Sequence, residues 1–430
     1  MAAGRGGPRR AERGILTGTG AASARVTAAP VAHGFIALAA LTLAACGGDG
    51  AVHDSLVMTR DTVGDTIRVH IESGSVWSRP ARLRKTLEIG ALEGADEETF
   101  GMIAEVGVTA TGDILVFDGQ VPALRRYDAD GRYLGSLGGL GQGPGEYGHR
   151  IRGLVVRRDG TILLRDMDNQ RIIVYRDDGT VADHWRVESG LYTRQATVAD
   201  AEGHVYVKAL VGPFDPGAPL PFPWPIGLLH LDAGGALVDT VPPPAHRDEP
   251  QGRWGPLHPG KIWALHPDGH MVIGVNGDYA FEIRRTDGTV VRISKAWEPV
   301  PVSEAEHAEY ERRLVDDDDD DAALETAWTK PAYGQFHFGG DGRIWVPRPT
   351  PSEPTAEPQG ALGPTVAPMP NWPFYAPLLF DVFEPDGTYL GEVPIPRDVA
   401  PYVFGSDRIY GVRAGKYDEL YVVRYALDVG

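Results

Sequence analysis

Across residues 153–185 apolar and polar positions come in short blocks. Aliphatic runs at 154–156, 162–164 and 172–175 are separated by Asp159-Gly160, by a polar bend from Asp166 to Asn169, and by Asp178-Gly179. Short β-branched runs bounded by Asp-Gly predict the strands of one antiparallel meander. Four such strands bury too little apolar surface to stand alone, so the unit has to pack against copies of itself. The copies are present. Turn glycines pair as Gly112 with Gly131, Gly160 with Gly179, and Gly269 with Gly288, each pair 19 residues apart. Two stretched copies use Gly203 with Gly234 and Gly235, and Gly342 with Gly387, with extra sequence between the second and third strands.

The chain ends supply the remainder. Runs at 67–71 and 83–89 near the start, and at 408–412 and 420–425 near the end, are each half a unit. Pairing the two halves predicts a sixth sheet and closes a ring, which removes exposed edges. The expected fold class is therefore all-β: a six-bladed β-propeller over residues 66–430, closed by N-terminal strands paired with the C-terminal blade.

Two motifs sharpen this. Asp166, Asn169, Arg171 and Ile172 form Asp-x-x-Asn-x-Arg-Ile at the strand bend, and residues 141–147 read Gly-Gln-Gly-Pro-Gly-Glu-Tyr. With these the chain resembles the NHL-type six-bladed β-propellers common among bacterial lipoproteins, over residues 66–429 and most closely over 107–185. The resemblance implies a fold shared by protein-binding scaffolds, RNA-binding modules, amidating lyases and lactonases, so function must be argued from a site. Asp166, Asn169 and Arg171 are expected to hold the bend through Asx hydrogen bonds and an ion pair. The glycine-rich loop lacks the Lys-Ser/Thr ending of a phosphate-binding loop and reads as a connector.

The N-terminus is read as targeting rather than fold. Arg5, Arg9, Arg10, Arg13 and Arg25 precede an apolar run at 35–45 that is too short to span a bilayer. Leu43-Ala44-Ala45-Cys46 is similar to a bacterial lipobox. Residues 1–45 are thus expected to be a lipoprotein signal peptide, Cys46 the lipidated residue, and 46–65 a flexible tether, placing the protein in the bacterial cell envelope facing periplasm or exterior. Cys46 is the single cysteine, so no disulfide is available. Loss of residues 1–45 would leave 385 residues with 36 basic and 58 acidic side chains, a formal charge of −22. So acidic a chain does not suit nucleic acid or an anionic membrane surface, which leaves anchoring to lipid.

In a meander the tight turns share one face of the ring, while the second-to-third loops and the connections between units share the other. The long insertions at 139–150, 212–225, 241–260, 294–333 and 347–377 all belong to that second face, where binding usually resides. Within one of them, Ser303 with Glu306 is a capping box that predicts a helix over 304–314, followed by a run of aspartates at 316–321 and a short helical piece to Trp328. The aspartate run lacks the glycine and distal glutamate of an EF-hand and reads as a solvated loop.

Aromatic and basic residues of these insertions are the candidate ligand contacts: Trp224, Arg253, Trp254, Trp372 and Tyr375, for a protein, peptide or glycan. Gly-x-Ser-x-Gly and His-Glu-x-x-His are both absent, so no catalytic residue, metal or cofactor is assigned. The expected function is a monomeric, lipid-anchored binding or scaffolding module. The alternative is a metal-dependent lyase or lactonase-like hydrolase with an axial site, for which Glu105, Asn276 and Asp278 are the nearest candidates.

Overall fold

The computed structural model describes residues 55–187, 197–211, 225–250, 255–316, 324–356 and 372–429. Among them, six sheets follow one another around a ring, each built on a four-stranded antiparallel meander with its first strand innermost. The first blade is Ile103–Val108, Ile114–Asp118, Ala123–Tyr127 and Tyr133–Leu137. The second is Ile151–Val156, Ile162–Asp166, Arg171–Tyr175 and Val181–Arg186, and the third Thr197–Ala199, Val205–Leu210, Ile226–Leu231 and Leu237–Val241. The fourth begins with Lys261–Leu265, Met271–Val275, Ala280–Arg284 and Val290–Lys295. The fifth is His337–Phe338, Ile344–Arg348, Leu379–Phe383 and Tyr389–Pro394. Val399–Phe404, Arg408–Ala414 and Leu420–Asp428 open the sixth.

Local chemistry sets the turns. Asp159 and Asp178 each accept the N–H two residues on, from Thr161 and Thr180, at 2.9 Å. The following glycines take φ of +86° and +82°, where a side chain would be strained. The bend of the second blade is held as the motif suggests. Asp166 accepts N–H groups of Asp168 and Asn169 and the Asn169 amide, while Arg171 reaches back to the carbonyls of Gly143 and Glu146.

The core is six apolar wedges, one between each pair of neighbouring blades. Phe117 and Leu124 of the first blade meet Leu164 and Ile173 of the second, and the ring closes where Tyr410 and Val422 of the sixth meet Ile103 and Val116 of the first. Burying each such side chain is worth about 1.5–3 kcal/mol. Between blades four and five the wedge contains a charged knot. Asp381, fully buried, accepts hydrogen bonds from Tyr279 Oη (2.6 Å), Tyr389 Oη (2.8 Å) and Lys295 Nζ (2.9 Å).

Closure differs from the expected two-plus-two pairing. Only Arg82–Ile89 joins the sixth blade, antiparallel to Leu420–Asp428, so three C-terminal strands and one N-terminal strand complete it. The segment at 67–71 goes elsewhere: Thr66–Ser73 pairs in parallel with Val290–Lys295 and extends the fourth blade. Val57–Val63 folds back on it as a sixth strand, so the tether expected over 46–65 ends before residue 57. Between these two attachments the chain runs along the outer edge of the fifth blade, where Trp77 N–H donates to Leu390 O (2.7 Å) and Ala81 N–H to Glu392 O (2.7 Å). Trp77 lies against Gly391, whose missing side chain leaves room for the indole. One N-terminal strap thus covers the outer edges of three blades, which a closing hairpin alone would have left open.

The helix is present as Glu304–Asp316, with Ser303 Oγ accepting the Glu306 N–H at 3.2 Å. The second helical piece is absent over the described residues 324–328, and Pro301 pairs with Thr329. No helix among the described residues is long and apolar enough to cross a membrane. Residues 1–54, including Cys46, and aspartates 317–321 lie outside the described residues.

Candidate functional site

Strand order places the second-to-third loops and the inter-blade connections on one face, and there a pocket of 270 Å³ opens beside the fourth blade. Three segments wall it: Leu257 and Pro259 from the connection entering the blade, Asn276, Gly277 and Asp278 from its second-to-third bend, and both ends of the 296–336 excursion. That excursion contributes Trp297 and Pro299 at one end and Thr329, Lys330 and Pro331 at the other.

The walls are pinned to one another. Asn276 accepts the Gly260 N–H at 2.8 Å through Oδ1 and donates to Tyr333 O at 2.7 Å through Nδ2, so one buried amide joins three segments. Ala327 N–H donates to Pro256 O (3.0 Å), Lys330 N–H to Val300 O and Val302 N–H to Trp328 O (both 2.9 Å). Lys330 Nζ donates to Thr350 O (2.9 Å) and Ser352 Oγ (2.6 Å), with buried Glu306 at 3.5 Å. Burial pushes the Lys330 ammonium below its ordinary pKa, and Glu306 pulls it back. Leu257 sits at φ +63°, a left-handed conformation that costs a leucine about 1–2 kcal/mol. Strain held by a rigid surround is a feature of ligand sites.

The expected contact residues distribute unevenly. Trp224, Arg253 and Trp254 lie outside the described residues. Trp372 is half-buried, its ring 4.4 Å from Tyr310 and 5.7 Å from Phe374, with the Arg313 guanidinium 5.2 Å over it. Tyr375 is 8% exposed, in a two-residue strand facing Glu353–Pro354, and lies under Arg397 at 4.3 Å. Trp372 thus packs against the 304–316 helix as well as its own loop, and Tyr375 against Arg397. The structure brings together Asn276 and Asp278, and adds Leu257, Trp297 and Lys330, which sequence pattern did not mark.

Glu105 stands apart, on the innermost strand of the first blade. Burial pushes its carboxyl up to about 7, against Arg152 and the N–H groups of Gly153 and Leu154, which lower it. Inner strands of blades six, one and two are all bulged here, at Pro401/Val403, Ile103/Glu105 and Ile151/Leu154. Tyr402, in the first of these, donates to Ile103 O at 3.0 Å. His337, on the innermost strand of the fifth blade, is pushed down to about 4 by burial. Among the described residues no three His, Cys, Asp or Glu side chains converge on a metal position.

No protein-family model and no curated protein matches the chain. Solved structures resemble it in fold. A Bacteroides fragilis protein described as exported aligns at 9% identity and TM-score 0.46 over 84% of this chain and 99% of its own. A DUF4221 family member from Bacteroides vulgatus aligns at 10% identity and TM-score 0.48 over 82% and 99%. A virginiamycin B lyase from Staphylococcus aureus, inactivated and with quinupristin, aligns at 11% identity and TM-score 0.37 over 80% and 99%.

Proposed function

We propose that this propeller is a binding module of the bacterial cell envelope, lipid-anchored through Cys46, which engages its partner through the long-loop face. The observation that carries the reading is the pocket beside the fourth blade. It is built from three cross-pinned segments, retains a strained Leu257, and sets the apolar groups of Leu257, Trp297 and three prolines beside the polar ends of Asn276, Asp278 and Thr329. A protein, peptide or glycan would insert one side chain or sugar ring there while the surrounding loops contact the rest.

Gly277 gives a direct test. It is exposed, and a Cβ there would meet only Pro259 at 3.4 Å, so Gly277→Phe fills the pocket without disturbing the blade. A panel of peptides and oligosaccharides is screened against the detergent-solubilised full chain by saturation-transfer NMR. Binders to the wild type are expected to lose their signal with Gly277→Phe, and binders that persist unchanged would place the site elsewhere. Anchoring is tested separately, since Cys46→Ser should move the protein from the membrane to the soluble fraction.

A further inference from the structure

The pocket holds one ionic group that has no partner among the described residues. The Asn276 amide is spent on Gly260 and Tyr333, and the Lys330 ammonium on Thr350, Ser352 and Glu306. Asp278 is exposed, and its carboxylate makes no hydrogen bond or ion pair among the described residues. Beside it stands Trp297, half-buried with its ring anchored on the core between blades four and five. The charge of the surrounding chain points the same way. The described parts of the excursion whose two ends wall the pocket, 296–316 and 324–336, carry seven acidic and three basic residues, a net −4.

We infer that the pocket accepts a cation, the ammonium or guanidinium group of a lysine or arginine side chain on a partner polypeptide. Asp278 serves as its counter-ion and the Trp297 ring as its apolar and π wall. This rests on the pocket being the binding site, and three physical arguments lead from there to the sign of the ligand. An anionic group would enter a net negative segment and face a carboxylate, with the Lys330 ammonium already paired. A neutral group would desolvate Asp278 without pairing it, which costs free energy. A cation pairs the carboxylate, gains from the indole face, and is drawn in from a distance by the acidic excursion.

The test uses the full chain and short flexible peptides, otherwise identical, whose central residue is lysine, arginine, glutamate or glutamine, with spermidine as a free amine. Lysine and arginine peptides are expected to bind, and to weaken as salt is raised. Asp278→Asn should weaken them about tenfold or more with an unchanged melting temperature, consistent with loss of a charge-assisted contact. Asp278→Lys should reverse the preference toward the glutamate peptide. The inference is overturned if the basic peptides bind Asp278→Asn as tightly as wild type, or if the glutamine or glutamate peptide is preferred while Gly277→Phe still abolishes its binding. That second result would leave the pocket standing and remove only the sign of its ligand. Spermidine binding without peptide binding would overturn the polypeptide source. Failure of every probe, together with indifference of all binders to Gly277→Phe, would remove the pocket itself.

Discussion

Asp381→Ala should be among the most damaging single substitutions of a polar residue in this protein. Asp381 is fully buried and takes three charge-assisted or phenolic hydrogen bonds, from Tyr279, Tyr389 and Lys295, at 2.6–2.9 Å. The ammonium of Lys295 also lies over both tyrosine rings, 5.4 and 4.3 Å from their centroids. Removing the carboxylate leaves that ammonium, whose side chain is 11% exposed, between two aromatic faces with a 3.3 Å bond to Tyr389 Oη and no counter-charge on Asp381. Breaking a buried pair from one side costs about 3–5 kcal/mol, most of it the uncompensated charge. Tyr279→Phe, which deletes one hydrogen bond to an ionised acceptor, should cost roughly 1.5–3 kcal/mol. The decisive comparison is Asp381→Ala with Lys295→Met added. With no charge left to strand, the double variant should be no less stable than the single, and about 1–3 kcal/mol more stable if the methionine fills the space. Urea unfolding followed by tryptophan fluorescence reads these as midpoint shifts at constant slope. A cost below about 1 kcal/mol for Asp381→Ala, or a double variant less stable than the single one, would refute this account of the knot.

Three further expectations follow from particular side chains. The folded pKa of Glu105 stands raised from 4.5 to about 7, so the folded state binds that proton more tightly than the unfolded chain; the resulting stabilisation is complete below about 4.5 and lost as pH rises through about 7. Glu105→Gln should therefore melt higher than wild type near pH 8, by up to roughly 3 kcal/mol, and alike near pH 4. His337, lowered from 6.5 to about 4, has the opposite sign: its contribution is present above 6.5 and lost as pH falls toward about 4, so His337→Gln should flatten the acid limb of the melting-temperature profile. Trp372→Ala should cost about 1–3 kcal/mol, because the ring is wedged among Tyr310, Arg313 and Phe374, and an unchanged melting temperature would return it to the role of a free contact residue.

Much of the fold is legible because its turns are local. Asp159-Gly160 needs only its own backbone to form, so the recurrence of glycines 19 residues apart reports the blades directly. Edge assignment is not local. The alternation of Ile67, Val69 and Ile71 announces a half-buried strand but carries no record of which open edge receives it, and Val69 and Ile71 prove to pack in the wedge of blades four and five. The choice is made by contacts such as Trp77 on Gly391, more than 300 residues apart in sequence. The site divides the same way. Asn276 and Asp278 stand out as polar residues at a strand bend, whereas Leu257, Trp297 and Lys330 reach the pocket from separate segments, and no leucine announces a left-handed φ. Aromatic density marks Tyr375 but does not say that it is buried under Arg397, since a proline-rich loop with few backbone donors can use rings in its own packing.

The strap of residues 57–89 also sets an order in time. The first three blades complete themselves from residues 103–241, each strand meeting a partner made within a few tens of residues. The strap precedes all of them in sequence, yet its hairpin finds its place only when Val290–Lys295 exists, and Arg82 pairs with Asp428, 346 residues further on. Pairings of such sequence separation are slow to close, and strands that wait for them expose unpaired backbone. Made before the strands it joins, the strap carries unpaired backbone until blades four and six exist to receive it.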